Sequence, residues 1–573
     1  MQKRNSYLIG KAFRSFLIAS VLSVAAEQVA VLVDAAVVGR LVSAEALAGV
    51  SIIQPLIQTL FSLSVLFVVG GTMMTGVAIG NGERTRANNI FTVTLACVAM
   101  LGVAFVLGAF TFYDQILSFL CPSATLRPFA SDYANVILLG SPFYLLSYML
   151  QCMVTVDGRP RLVTISVIVG NTVNLLLNIL LIKVFDMGVA GAAVGTVAMN
   201  VLNVAILSTH FLRKGTMSVV IPRKVGGILK LLLQNGLPEF VATSLIAVQM
   251  AAGVRIASIY MGDAGVVVLA VCTQLFSFSM IFLSGTLNTL QPMSAILKGA
   301  SDGKGMLILL RQAYTFLFIC LAVYTLAICL APTQIAEFFG VSTELQMQIA
   351  LQALPLYSLH IVMQSLFYQF ISIYQIHGHP RFAIYLSTGQ SIFPALGFGL
   401  LAVAGGPLSA WWGFFLGQAF TVLTLLPFVV REQHRDRHLT PFFLIQQNDE
   451  NATYDVSVAT NYESLHQLRD DLAAFFRGTS LGEKAATNAV LCTEELVKNI
   501  IDHGHAHSID VRATHNAESI NITLCDDGML FNPVEYDQET GLGLQIVRGL
   551  VSELHYDTIF NQNMVTITVK KRP

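Results

Sequence analysis

A single break in polarity decides what this chain can fold into. Near residue 431, about 430 predominantly apolar residues give way to a polar segment of about 125. Roughly 20 apolar residues cross a bilayer as a helix, and such runs recur at 13–38, 46–79, 89–112, 131–156, 162–183, 188–211, 232–260, 265–296, 312–331, 345–376, 382–404 and 408–430. With 54% hydrophobic and only 12% charged residues over 573 positions, the chain as a whole cannot be a soluble enzyme. The pattern predicts a mostly α protein, a membrane bundle of about twelve helices followed by a small α/β domain.

At the N-terminus, Lys3, Arg4, Lys11 and Arg14 lead into a long span without a small-residue cleavage site, which predicts that the first helix is retained. Basic residues then gather on one side of the spans. That side holds the N-terminal cluster, Arg84, Arg86, Arg159, Arg161, Arg213, Lys214, Arg223, Lys224, Lys230, Lys298, Lys304, Arg381 and Arg431; the other holds little beyond Arg40, Arg127 and Lys183. The positive-inside rule places both termini in the cytoplasm and the bundle among the lipids of the cytoplasmic (inner) membrane. The eight cysteines are scattered and form no CxxC pair, so they read as apolar fillers. A net charge of −1 offers no argument for nucleic acid.

The membrane part looks duplicated. Gly158-Arg159-Pro160-Arg161 recurs as Gly378-His379-Pro380-Arg381, 220 residues later and at the equivalent loop, and Gly82-Glu83-Arg84 is matched by Gly303-Lys304 at nearly the same offset. Two six-helix lobes follow, 1–220 and 221–430, with a charged linker at 431–450 and a separate domain at 451–573. Duplicated bundles of this kind place a cavity between the repeats and rock them to alternate access.

An ionisable residue within the bilayer costs several kcal/mol unless it meets a cavity or a partner, so it is a functional candidate. Glu27 and Asp34 lie seven apart on one face of the first span. Asn171, Asn174 and Asn178 line one face of the fifth. Asp34 is the candidate for the coupling H+ or Na+, with Asn174, Asn178 and Thr196 as hydrogen-bonding or oxygen partners and Glu27 as a second carboxylate. The structural alternative pairs Asp34 with Arg40 or Lys183 at the membrane surface. In the second lobe, Pro238-Glu239 reads as the opening of the seventh span, where the helix dipole favours a carboxylate, and Gln249 as a residue facing the cavity.

Val33-Asp34-Ala35-Ala36-Val37-Val38-Gly39-Arg40-Leu41, Asn171-Thr172-Val173-Asn174-Leu175-Leu176-Leu177-Asn178 and Gly188-Val189-Ala190-Gly191-Ala192-Ala193-Val194-Gly195-Thr196 resemble the multidrug and toxic compound extrusion (MATE) family over roughly residues 8–430. The resemblance implies export of organic, often cationic and amphipathic, compounds against a proton or sodium gradient. Family members often carry aspartate where this chain has Asn178, which weakens sodium binding and leaves proton coupling through Asp34 open.

The polar domain orders its elements as a strand near 453–460, helices near 462–478 and 481–503, strands near 507–514 and 518–526, a helix near 541–552 and two strands within 554–571. On one face of the second helix, Glu495 and Asn499 are an i, i+4 pair able to polarise a hydroxyl and hold Mg²⁺. Asp526-Asp527-Gly528 and Gly541-Leu542-Gly543 follow, the last two glycines opening a helix whose free N–H groups suit phosphates. In this order the motifs resemble the histidine-kinase-like (Bergerat) ATP-binding fold, nearest its anti-sigma-factor serine kinase branch. That resemblance implies ATP with Mg²⁺ at Asn499, adenine at Asp526 and Gly528, phosphates at Gly541 and Gly543, and Glu495 as the catalytic base. No phosphoacceptor hairpin accompanies it, and no GxxxxGK[ST] loop exists to power transport.

The expected function is cation-coupled export with an ATP-binding domain that regulates transport or phosphorylates a Ser/Thr protein partner. The alternative is a membrane-bound signalling kinase whose transporter-like part senses a ligand.

Overall fold

In this computed structural model, residues 4–120, 126–212, 217–341, 343–446, 453–477, 482–516, 518–534 and 542–570 are described. The first bundle comprises α1 (Tyr7–Leu41), α2 (Ala44–Gly80), α3 (Arg84–Thr111), α4 (Tyr113–Leu120), α5 (Arg127–Val156), α6 (Pro160–Lys183) and α7 (Gly188–Ser208). The second comprises α8 (Val225–Gly299), α9 (Gly303–Leu330), α10 (Pro332–Phe338), α11 (Glu344–Ile376), α12 (Pro380–Gly405) and α13 (Trp412–Arg435). Among the described residues, eleven helices are long and apolar enough to cross a membrane. One of them, α8, has 75 residues, about 110 Å at 1.5 Å per residue and too long for a single crossing. It breaks at Gly262, whose φ of 59° and ψ of −156° only glycine adopts without strain. Counted on either side of that break, α8 supplies two crossings, which brings the eleven helices to the twelve spans expected.

The start of α8 corrects one expectation. Pro238-Glu239 does not open a span: α8 begins at Val225, after Lys224 in a left-handed conformation, and Glu239 lies about four turns inside. Its side chain is buried, with no hydrogen-bond partner for Oε2 among the described residues, in the neighbourhood of Tyr148 and Tyr368. The first-turn dipole therefore does not account for this carboxylate.

The two bundles touch most closely along α2 and α8. A Cβ placed on Gly80 would stand 2.0 Å from the carbonyl oxygen of Ile296, and one on Gly299 would stand 2.1 Å from that of Val77. Only glycine permits so close an approach of backbones. These contacts lie at the ends of both helices, on the face that carries the C-terminal domain.

That domain is built from β1 (Thr453–Val458), α14 (Tyr462–Phe475), α15 (Glu483–Asn499), β2 (Ile509–His515), β3 (Ser519–Asp526), α16 (Leu542–Leu550), β4 (Glu553–Ile559) and β5 (Gln562–Lys570). The strands form one antiparallel sheet in the order β1-β2-β3-β5-β4. Alternation along a strand sends successive side chains to opposite faces. Tyr454, Val456, Val511, Ile520, Ile522 and Leu524 pack under the three helices. Asp455, Ser457, Asp510, Arg512 and Cys525 lie on the other face, against the membrane bundle.

The docked face is polar because its partners are backbone groups and cations at the bundle's end. Arg4 inserts between Asp302 (2.7 Å), Asp510 (2.9 Å) and Asp455 (3.6 Å), all nearly buried. The backbone N–H of Asn5 donates to Ser457 Oγ at 2.9 Å, and Gln562 Nε2 donates to the Leu8 carbonyl at 2.9 Å. Arg84 grips both oxygens of Asp557 through Nε at 2.9 and 3.2 Å, and Phe16 meets Phe560 edge to face at 5.8 Å. The stretch after α13 is also docked: Tyr374 donates to the Phe442 carbonyl, and Phe443 stacks on Phe370.

Removing Arg4 leaves three buried carboxylates facing one another. Breaking a buried ion pair from one side costs about 3–5 kcal/mol. Arg4→Met should therefore release the domain, read as faster amide exchange in β1 and β2. With the cation gone, the carboxylates bind protons more readily than in an unfolded chain, so the docked form should recover as pH falls towards 4 and be lost as pH rises. Wild-type protection at pH 8 in Arg4→Met would refute the assignment.

Candidate functional site

Two sites emerge, one in each part of the chain. In the first bundle, α1 brings Asp34 against α6, and α6 packs on α7. Asn178 Nδ2 donates to Asp34 Oδ1 at 3.0 Å and to Asn174 Oδ1 at 3.1 Å, and Asn174 Nδ2 donates to Thr196 Oγ1 at 3.3 Å. Thr196 in turn donates to the Ala192 carbonyl at 3.1 Å. The structure thus brings together Asp34, Asn174, Asn178 and Thr196, and it adds Tyr133 of α5, which is buried beside Thr196 and Asp34. Tyr133 carries no distinctive spacing in the sequence, so nothing there separates it from packing aromatics.

Both asparagines are fully buried, and Asn178 Oδ1 has no partner among the described residues. Asp34 is part-exposed and forms no ion pair among them, so pairing with Lys183 is not what the structure shows; the Arg40 side chain lies outside the described residues. Glu27 does not join the network. It lies two turns along α1 with an open surface, in the neighbourhood of Tyr144 and Cys152 of α5. Gln249 is buried and lines a cavity of about 50 Å³ within the second bundle, with Tyr357, Gln364 and Thr273.

In the C-terminal domain, α15 ends in a π-helical turn, Ile500–Gly504, a deviation common at functional sites. Met529 N–H donates to the Gly504 carbonyl at 2.8 Å, which joins the end of α15 to the Asp526-Asp527-Gly528 loop. Asp526 is buried, and its Oδ1 accepts from Gly528 N–H and Asn563 Nδ2, both at 2.9 Å. Its Oδ2 has no hydrogen bond among the described residues. Burial raises its carboxyl above the usual range, against the lowering by those two donors. At the start of α16, a Cβ on Gly543 would meet Glu495 Oε2 at 2.4 Å. Asn499 is half-buried with no side-chain partner among the described residues. The three motifs thus converge; Gly541 lies outside the described residues.

Asp527 has a separate fate that the sequence did not signal. Its carboxylate accepts from Lys11 Nζ at 2.7 Å and Tyr7 OH at 3.3 Å of α1, and from His507 N–H at 2.8 Å. Burial alone would raise its carboxyl, but these donors hold it below the usual range.

Residues 19–180 match the MatE family model, and residues 458–569 match that of the histidine kinase-like ATPase domain. The multidrug export protein MepA of Staphylococcus saprophyticus is 28% identical over 214 residues, 37% of this chain and 48% of that protein. MepA of Staphylococcus haemolyticus is 24% identical over 214 residues, 37% and 47% respectively. The chain spans about half the length of the curated relatives it matches. The Vibrio cholerae MATE transporter VcmN in its bent form superposes with a TM-score of 0.68 at 19% identity, over 75% of this chain and 99% of that one. A MOP superfamily transporter from Pyrococcus furiosus gives 0.66 at 19%, over 73% and 94%. The chain therefore joins a MatE segment within a MATE-like membrane fold to a histidine kinase-like ATPase domain.

Gly195 tests how tightly the first site is built. A Cβ there would stand 2.0 Å from Asn178 Oδ1. Gly195→Ala should displace the Asn178 amide, cost about 1–3 kcal/mol as overpacking does, and lower the melting temperature in detergent. An unchanged melting curve would show that α6 and α7 are not held at this separation.

Proposed function

We propose that the membrane part exports organic, cationic or amphipathic compounds by alternating access, coupled to H⁺ or Na⁺ through Asp34, with the face bearing the C-terminal domain in the cytoplasm. The observation that carries this reading is the network Asp34–Asn178–Asn174–Thr196, which is centred on two buried asparagines and lies, but for Thr196, within the MatE segment. An ionised Asp34 accepts from Asn178 Nδ2. A protonated Asp34 becomes a donor, and the unpartnered Asn178 Oδ1 is an acceptor on the side chain already in contact. One amide can thus serve both protonation states by rotating. Asn178 and Asn174 supply oxygens but no charge, so Asp34 is the sole titrating member of the network, and Glu27, two turns away, is a second carboxylate along the same helix face.

The C-terminal domain is proposed to bind ATP with Mg²⁺ and to regulate transport or phosphorylate a protein partner. The residues present fit such a ligand: Asp526 Oδ2 is open to the exocyclic amine of adenine, Asn499 is open to the metal, and Gly543 lets the start of α16 close on Glu495. Bound Mg²⁺ would offset phosphate charge. Glu495 would accept a proton from a hydroxyl or water. The contact of Lys11 with Asp527 also favours a second reading, in which occupancy of the membrane part is signalled outward through the kinase-like domain.

In proteoliposomes loaded with a fluorescent cationic dye, Asp34→Asn should reduce gradient-driven efflux to the protein-free rate while binding of a fluorescent ATP analogue is retained. Asn499→Ala should do the converse to nucleotide, losing binding at least tenfold. Efflux at the wild-type rate in Asp34→Asn would remove the coupling role, and nucleotide binding without any gradient-driven efflux would favour the signalling reading.

A further inference from the structure

The C-terminal domain holds both bundles at once, at the two helix ends that form their seam. On the first bundle, β4 grips the turn that follows Gly80: His555 Nε2 bonds the Gly82 carbonyl at 3.0 Å, and Asp557 holds Arg84. On the second bundle, β2 grips the turn that follows Gly299: Arg512 Nη1 donates to the Ala300 carbonyl at 2.8 Å and Nη2 to that of Ser301 at 2.5 Å. Gly80 and Gly299 are the glycines at this end of α2 and α8 whose backbones meet carbonyls of the opposite bundle; Gly70 and Gly236 make like approaches, to Leu232 and Leu66, further along the same two helices. Between the two grips lie β3 and β5, joined to β2 and β4 by continuous antiparallel pairing. Three strand spacings of about 4.8 Å set the grips about 14 Å apart, and the ladder cannot stretch without losing its hydrogen bonds.

We propose that the docked C-terminal domain is a staple across the seam, which keeps the bundle closed on this face and must release one grip before the bundles can part there. This deepens the transporter reading by naming how the domain regulates it. To admit a solute from this face, the ends of α2 and α8 have to separate by the width of that solute, whereas the sheet fixes the distance between the turns attached to them. Release rather than deformation is the available route. The two grips are charged or polar, so they can open and re-form, while Arg4 ties the N-terminal end of α1 both to Asp455 and Asp510 of the domain and to Asp302 of the second bundle, a further link that has to yield with them.

The test reads the separation of the bundles directly. Arg161 and Arg381 are exposed, begin α6 and α12, and lie in different bundles on this face. Replacing both with a click-reactive amino acid allows a donor and an acceptor dye to report their distance in single molecules reconstituted in nanodiscs, without dye substrate or nucleotide. Wild type should occupy the short distance. Asp557→Asn and Arg512→Gln, made singly, together and together with Arg4→Met, should raise the long-distance population in that order, at least tenfold in the triple variant. If the triple variant, shown to be folded by binding of the fluorescent ATP analogue, keeps the wild-type distribution, the staple is refuted. That result would leave dye efflux and nucleotide binding, which are measured separately, where they stand.

Discussion

Everything about how the two parts of this chain meet depends on one guanidinium among three carboxylates. Arg4 belongs to the lead-in of α1, Asp302 to the turn between α8 and α9, and Asp455 and Asp510 to the sheet of the C-terminal domain. Burial alone would lower the Arg4 pKa, but the three carboxylates drive it well above its ordinary value, so its charge is permanent. Burial raises Asp455 and Asp510, against the pull of Arg4, whereas Asp302 is held low by Arg4, Arg512 and the Gly305 N–H despite its burial. The cluster carries more acid than base. Its contribution to stability is modest because desolvation opposes attraction, but it fixes position: an apolar replacement would pack without specifying which loop meets which strand.

The same economy applies to the other cations on this face. A membrane protein concentrates Lys and Arg on one side for reasons of insertion, and a domain attached on that side meets them ready-made. Lys11 and Arg84, read from the sequence as topology markers, bind Asp527 and Asp557. Arg84 also holds Asp157 between α5 and α6, where His210 and the Met217 N–H converge on the same carboxylate. Burial would raise Asp157, but these partners hold it low. One arginine therefore ties the turns of the first bundle to each other and to the sheet.

Much of this was legible in the sequence, and the failures have physical causes. Hydrophobic run length is a strong signal, so the spans and the polarity break at residue 431 were visible, and a carboxylate inside a span with three spaced asparagines marked the first candidate site. Tyr133 was not, because a tyrosine at helical spacing is indistinguishable from packing until its hydroxyl is placed. Glu239 was assigned to a helix start because Pro238 suits that position, yet proline is tolerated within membrane helices, and α8 runs through it. Between the spans at 232–260 and 265–296 the chain makes no loop and leaves helical dihedrals at Gly262 alone. Asp527 was not legible either, because its partners Lys11 and Tyr7 lie more than 500 residues away in the chain.

The placement of α1 gives Asp527 its significance. Lys11, bound to Asp527, and Asp34, bound to Asn178, are 23 residues apart on one continuous helix, a span of about 35 Å. Coupling over such a distance requires an element with two arrangements that both sites bias. A continuous helix anchored at one end by a domain and at the other by the carboxylate proposed to titrate meets the first half of that condition; parting of the bundles at Gly80 and Gly299 would supply the second. Linkage then works in both directions. A ligand at Asp526 that prefers the docked loop must resist movement of α1, and a charge change at Asp34 that moves α1 must alter the affinity for that ligand by the same factor. No contact between the two ligands is needed, because the helix is common to both.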